Sequence, residues 1–167
     1  MGSKIRVGDM APDFSALSNR GELVTLAHAR EAASIVLYFY PWDHAPTCVE
    51  QAQGFRDAHP QFTAAGATVI GISGDSLARH CSFAAKHTLP YLLLSDESGE
   101  VRRAYGIPRK FGILPGRVTY VIDRAGFVRD VFIAQFQAMQ HVERALREVQ
   151  KLSLAVATNE GGKKVAA

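Results

Sequence analysis

Cysteine is scarce in this chain: 167 residues contain two, Cys48 and Cys81. That excludes a disulfide-rich secreted scaffold and any four-cysteine zinc or iron–sulfur site. No Cys-x-x-Cys occurs, which excludes the motif of a dithiol–disulfide reductase. Long apolar runs are also missing. The most apolar stretch, residues 32–42, is far short of the ~20 residues a membrane helix needs. The opening MGSKIRVGDMAPDF lacks the apolar centre and cleavage pattern of a secretory signal. A cytoplasmic, reducing compartment is therefore expected, with no permanent structural disulfide. A large charge excess of either sign is also missing, the net charge being +3. The basic residues Arg102, Arg103, Arg109, Lys110, Arg117, Arg124 and Arg129 are interrupted by turns and have few interleaved aromatics. They read as a solvated face, so neither nucleic acid nor membrane is an expected partner.

What is present fits an ordinary globular domain. Hydrophobic residues make up 47% and charged residues 21%, and the length suits one core. A turn signal at residues 19–22 lies between two short apolar segments and predicts an N-terminal β-hairpin. Residues 34–40 (SIVLYFY) and 67–73 (ATVIGIS) are continuous β-branched and aromatic runs, typical of strands buried on both faces. Between them, Val49, Ala52, Phe55 and Arg56 recur at helical spacing until His59 and Pro60. A second helix is predicted over residues 76–87, capped by Asp75 or Ser76, with Leu77, Cys81, Ala84 and Thr88 on one face. A third strand (91–94), a short helix (99–105), a hairpin (117–123 with 127–133) and a closing helix (138–152) complete the pattern. Residues 153–167 lack apolar periodicity and are expected to form a flexible tail to a domain spanning residues 1–152. The order predicts an α/β, thioredoxin-like fold: a central mixed β-sheet flanked by helices, with an N-terminal β-hairpin.

Cys48 follows a loop at the carboxyl end of a buried strand and lies at or near the first turn of a helix. Ligand chemistry in open α/β sheets collects at such places. Helix N-termini offer free N–H groups and partial positive charge, which stabilise a thiolate, the nucleophilic form of cysteine. A buried, inert cysteine packing as a small hydrophobe fits the same position equally well.

Several segments, in the same order, resemble the peroxiredoxins, and within them the bacterioferritin comigratory protein (PrxQ) subfamily. They are APDF (11–14), YFYPWDHAPTCVEQAQGFRD (38–57), ISGDSLARHCSFAAKH (72–87), LLSDESGEVRRAYGI (93–107) and RVTYVID (117–123). The resemblance implies a thiol-dependent peroxidase reducing hydrogen peroxide and organic hydroperoxides, recycled by thioredoxin or a similar dithiol. It implies no metal, flavin or haem, and a chain that is commonly monomeric and sometimes dimeric. By position, Cys48 matches the peroxidatic cysteine that becomes a sulfenic acid. Arg117 matches the arginine beside the thiolate, and Pro41 the proline that shields it. Without the resemblance, Arg117 would read as a surface ion-pair residue and Pro41 as a strand terminator.

The chain departs from the family pattern at two places. Ala45 occupies the usual threonine position, so a hydroxyl that bonds substrate and thiolate is missing. Thr47 stands where glycine is usual and is expected to cap the helix or donate in its place. The loss motivates an alternative function, a catalytically weakened member acting as a redox sensor or binding partner. The position five residues after Cys48, where many members carry a resolving cysteine, is Gln53. Other members place it on the following helix, and there Cys81 is the candidate, one turn before the matching position, Ala84. The resemblance thus implies a Cys48–Cys81 disulfide, with a core cysteine as the alternative for Cys81. His44/Cys48 and His80/Cys81 could also be read as metal ligands, but no carboxylate or further ligand accompanies them.

Overall fold

The computed structural model describes residues 4–165. The sheet begins with the expected hairpin, β1 (Ser15–Ser18) turning into β2 (Leu23–Thr25). Leu26 does not extend β2. It opens a four-residue helix, α1 (Leu26–Ala29), because the Thr25 hydroxyl accepts from the His28 N–H and caps it. The apolar run then forms β3 (Ser34–Phe39). After α2 (Pro46–Asp57) comes α3 (His59–Ala64). His59 and Pro60 were expected to stop a helix, and they start one, since proline is tolerated in a first turn where its missing N–H is not needed. There follow β4 (Ala67–Ser73), α4 (Leu77–His87) capped by Ser76, β5 (Leu92–Ser95) and α5 (Glu100–Ala104). A small ribbon unforeseen in the sequence, β6 (Arg109–Lys110) with β7 (Leu114–Pro115), precedes β8 (Val118–Ile122) and β9 (Val128–Ile133). The chain closes with α6 (Ala138–Val165). This helix does not end at Leu152 as the expected tail required. It loses its buried stripe beyond that point, where residues 153–162 are all exposed, but keeps its backbone ladder.

The seven-stranded sheet runs β2-β1-β5-β4-β3-β8-β9. β3, β4 and β5 are parallel, while β1, β8 and β9 pair antiparallel to their neighbours. The alternation of side chains along β3 creates two cores. Val36, Tyr38 and Tyr40 face a layer built from α2, α3, α4 and α6, through Phe55, Phe62, Phe83 and Val149. Ile35, Leu37 and Phe39 face the N-terminal segment, α1 and α5, through Phe14, Leu26 and Val101. The mixed sheet with helices on both faces is the α/β arrangement expected. It places the β3–α2 junction at the carboxyl end of the central strands, with β8 alongside.

Candidate active site

The junction is shaped by local chemistry. β3 ends at Phe39, and the Tyr40 N–H makes a last sheet bond to the Ile72 carbonyl at 3.2 Å. Pro41 has no N–H to continue the ladder, and it is buried. His44 takes a left-handed turn (φ 65°), after which Ala45 is the N-cap of α2 and Pro46 occupies its first turn. Cys48 therefore sits in the first turn of α2, where backbone N–H groups lack intrahelical partners. Its side chain is buried, 2% exposed, in the core layer beneath the helix.

Arg117, which leads into β8, is brought to this cysteine across 69 positions of sequence. Its Nη2 donates to Cys48 Sγ at 3.2 Å. Its Nη1 donates to Gln51 Oε1, and its Nε to the Gln135 carbonyl at 2.9 Å. The Gln135 side chain in turn accepts from the Arg117 N–H at 3.2 Å and donates to the Pro115 carbonyl at 3.2 Å. Arg117 is only 2% exposed, and none of its hydrogen-bond partners among the described residues is a carboxylate. A buried guanidinium needs a counter-charge. An ionised Cys48 sulfur, at hydrogen-bond distance, is the anion this site can supply.

The remaining expected residues divide. Pro41 is buried, in the loop that leads from β3 to α2. Thr47 is not the cap: the N-cap is Ala45, which has no side chain to accept a bond, and Thr47 lies inside the first turn, half-buried. Its hydroxyl is bonded to none of the described residues. The helix N-terminus is thus left without a side-chain cap where threonine would provide one, a difference of about 0.5–2 kcal/mol. His44 is exposed and rests its ring edge on Phe83, with centroids 5.2 Å apart.

Cys81 is elsewhere. The buried residues of α4 are His80, Phe83 and Ala84, whereas Cys81 is exposed and its thiol donates to the Asn19 carbonyl at 3.1 Å. The core alternative for Cys81 is thereby corrected: the inward face of α4 is rotated by one residue, about 100°, from the face the spacing suggested. The two sulfurs also have different partners. One is tied to the residue before β8 and the other to the turn after β1, and these strands stand four places apart in the sheet. Both cysteines are free thiols. The histidine–cysteine pairs diverge as well, since His80 points inward while Cys81 points outward.

The sequence reading missed Gln51 and Gln135, which bracket Arg117, and the buried pair Asp43 and His80 behind the loop. Gln51 carried a signal, standing one helical turn after Cys48 on the same face. Gln135 carried none, because its role depends on how β9 returns beside β8. Tyr40 donates to Asp43 Oδ1 at 2.6 Å, and its phenol is held well above the ordinary range by burial and then by the Asp43 charge.

The chain matches the model of the AhpC/TSA family over residues 7–131. It is 46% identical over 151 residues to a chloroplastic peroxiredoxin Q of Suaeda salsa, covering 90% of this chain and 70% of that one. To the chloroplastic peroxiredoxin Q of Arabidopsis thaliana it is 47% identical over 146 residues, covering 87% and 67%. Among solved structures, peroxidoxin BcpB of Mycobacterium tuberculosis superposes with a TM-score of 0.83 at 32% identity, over 88% of this chain and 97% of that one. Peroxiredoxin Q of Xanthomonas campestris superposes with a TM-score of 0.79 at 27% identity, over 89% and 97%.

Proposed function

The chain belongs to the AhpC/TSA family and is a peroxiredoxin, a thiol-dependent peroxidase, and from that premise we propose how its own residues carry the reaction. Cys48 is the peroxidatic nucleophile. Its thiolate attacks the terminal oxygen of a hydroperoxide: an S–O bond forms, the O–O bond breaks, and the leaving oxygen takes up a proton to depart as water or an alcohol. Sulfur is oxidised by two electrons to the sulfenic acid and the peroxide is reduced by two. Arg117 holds the sulfur and meets the negative charge that develops on the peroxide oxygens, in a site where burial strengthens that interaction. Pro41 walls the loop, and the free N–H groups of the first turn of α2 face the same charge. The observation that carries this assignment is the 3.2 Å contact of the buried Arg117 Nη2 with Cys48 Sγ.

For recycling, the family implies a thioredoxin-type dithiol in general. We propose that such a dithiol attacks the Cys48 sulfenate directly, releasing water and leaving with its own two sulfurs joined. The support is the placement of Cys81. A bridge needs Cα atoms within about 7 Å, and Cys81 points away from Cys48 toward Asn19. A Cys48–Cys81 disulfide requires α4 and the start of α2 to unwind. Two free thiols suit a reducing cytoplasm. The second reading, a weakened member serving as a sensor, draws support from Ala45, which removes one hydrogen bond to a charged group, worth about 1.5–3 kcal/mol.

A coupled assay with thioredoxin, thioredoxin reductase and NADPH tests the reading. Peroxide-dependent turnover is expected in the wild type and in Cys81→Ser, and none in Cys48→Ser. Turnover that survives Cys48→Ser overturns the mechanism. Oxidation of Cys48 by peroxide no faster than that of glutathione favours the sensor.

A further inference from the structure

The loop between Tyr40 and Ala45 is tied down by a buried polar pair that the reaction as written does not use. Asp43 and His80 have fully buried side chains, and His80 Nδ1 lies 2.7 Å from Asp43 Oδ2. The second ring nitrogen, Nε2, lies 3.0 Å from the Leu94 carbonyl. A carbonyl can only accept, so Nε2 carries a hydrogen, and Nδ1 and the carboxylate share the other proton. The second Asp43 oxygen accepts from Tyr40. The Asp43 main chain is held too: its N–H donates to Asp75 Oδ2 at 2.8 Å, and its carbonyl accepts from Arg79 at 3.4 Å. Asp75 and Arg79 are themselves paired at 2.7 Å. A loop of a few residues is thus pinned at three atoms of a single residue, two of them to α4 and one to Asp75 just before it.

Such pinning has a cost, since burying an acid and a histidine is unfavourable unless every partner is supplied. Here the partners are supplied, and the residues they fix are the ones that frame Cys48: Pro41 on one side of Asp43, and Ala45, the N-cap of α2, on the other. We propose that Asp43 and His80 form a latch that positions the peroxidatic loop, acting through Pro41 and the first turn of α2 on the reactivity of Cys48. The pair are positioning residues that do not touch the peroxide. The inference rests on the thiol peroxidase reading and adds residues from α4 to its machinery. It also gives α4 a function independent of Cys81.

The experiment compares the second-order rate of Cys48 oxidation by hydrogen peroxide in wild type, Asp43→Ala, His80→Leu, the double variant, and the isosteric Asp43→Asn. Val128→Ala, buried in the opposite core, controls for loss of stability alone. Each single loss is expected to slow oxidation roughly tenfold to a hundredfold, the scale at which small misplacement of reacting groups acts. The double variant should be no slower than the slower single, because one latch is broken once. Asp43→Asn, which keeps an acceptor for Tyr40 and folds without a buried cavity, should recover part of the rate. Amide exchange over residues 41–48 should quicken in the latch variants and stay unchanged in Val128→Ala, which lowers Tm with the rate intact. Wild-type rates in the single variants, multiplied losses in the double, or an equal rate loss in Val128→Ala would each overturn the latch. A wild-type Cys48 no faster than glutathione defeats the peroxidase reading instead. The exchange comparison then decides the latch by itself: unchanged loop exchange in Asp43→Ala and His80→Leu overturns it.

Discussion

The two cysteines occupy opposite kinds of environment. Cys48 is buried in the first turn of a helix, with a buried guanidinium 3.2 Å from its sulfur. Cys81 is exposed in the second turn of another helix, and its sulfur meets a neutral backbone carbonyl. Exposure alone would nominate Cys81 as the reactive thiol. The chemistry nominates Cys48, because reactivity toward a peroxide depends on negative charge at sulfur and on groups that receive charge from the breaking O–O bond. The arginine and the free N–H groups supply both, and a carbonyl oxygen supplies neither. Burial here strengthens the electrostatics of the site.

The sharpest way to break that contrast is to exchange each sulfur for oxygen. Cys48→Ser should remove peroxidase activity entirely, while Cys81→Ser should retain at least half of the wild-type kcat/KM in the coupled assay. Intact mass after one equivalent of peroxide extends the test. A trappable sulfenate, one oxygen heavier, is expected at Cys48. Loss of two hydrogens would instead mean that α4 unwinds and delivers Cys81. The next largest effect belongs to the guanidinium. Arg117→Met should lower the rate of Cys48 oxidation by about 10²–10³, the scale seen when a donor to developing charge is removed. It should leave the alkylation of Cys81 by iodoacetamide unchanged, since no part of Arg117 faces that helix side.

Smaller changes sharpen the picture. Ala45→Thr restores a hydroxyl at the N-cap of α2. It should raise kcat/KM about tenfold, the equivalent of one hydrogen bond to a charged group, about 1.5 kcal/mol. The same variant should raise Tm by about 2–4 °C through capping worth ~1 kcal/mol in a domain of this size. A rise in Tm with no gain in rate would show that the hydroxyl caps the helix and does not reach the substrate. The smallest effect concerns acid stability on the Cys48 side. His141 is buried against Thr119 of β8, with Nδ1 2.8 Å from its hydroxyl and Nε2 2.7 Å from the Ala134 carbonyl. Burial, with the Arg117 charge adding to it, pushes its pKa down from 6.5 to about 4. The folded value lies below the unfolded one, so the neutral form is favoured in the fold. Its contribution is full above pH 6.5 and is lost as pH falls toward 4. Urea midpoints measured across that window should drop in the wild type, and less steeply in His141→Gln.

Much of the frame was legible because it is local. Continuous β-branched runs gave β3 and β4 close to their true bounds, and Ser76 capped α4 as its position implied. The strand–loop–helix around Cys48 followed from Pro41, Pro46 and the helical spacing after them. Short elements were harder to see. The four residues of α1 and the two-residue strands β6 and β7 are shorter than any hydrophobic period that could announce them. The extension of α6 past Leu152 was hidden for a related reason: without a buried stripe, a helix leaves no apolar periodicity to read.

The sequence by itself determined that Cys48 opens a helix after a buried strand, because proline, glycine and apolar spacing act over a few residues. Only the tertiary structure decided what that cysteine meets. The guanidinium of Arg117 reaches it because β8 lies beside β3, and Gln135 supports the guanidinium because β9 returns beside β8. The fate of Cys81 was decided in the same way. Its place on α4 was readable, but a rotation of about 100° separates an inward residue from an outward one on a helix. That rotation is set by what α4 packs against: Phe83 and Ala84 in the core, and His80 on Asp43. Contacts of that kind join residues distant in sequence, and their energies depend on the whole sheet being assembled.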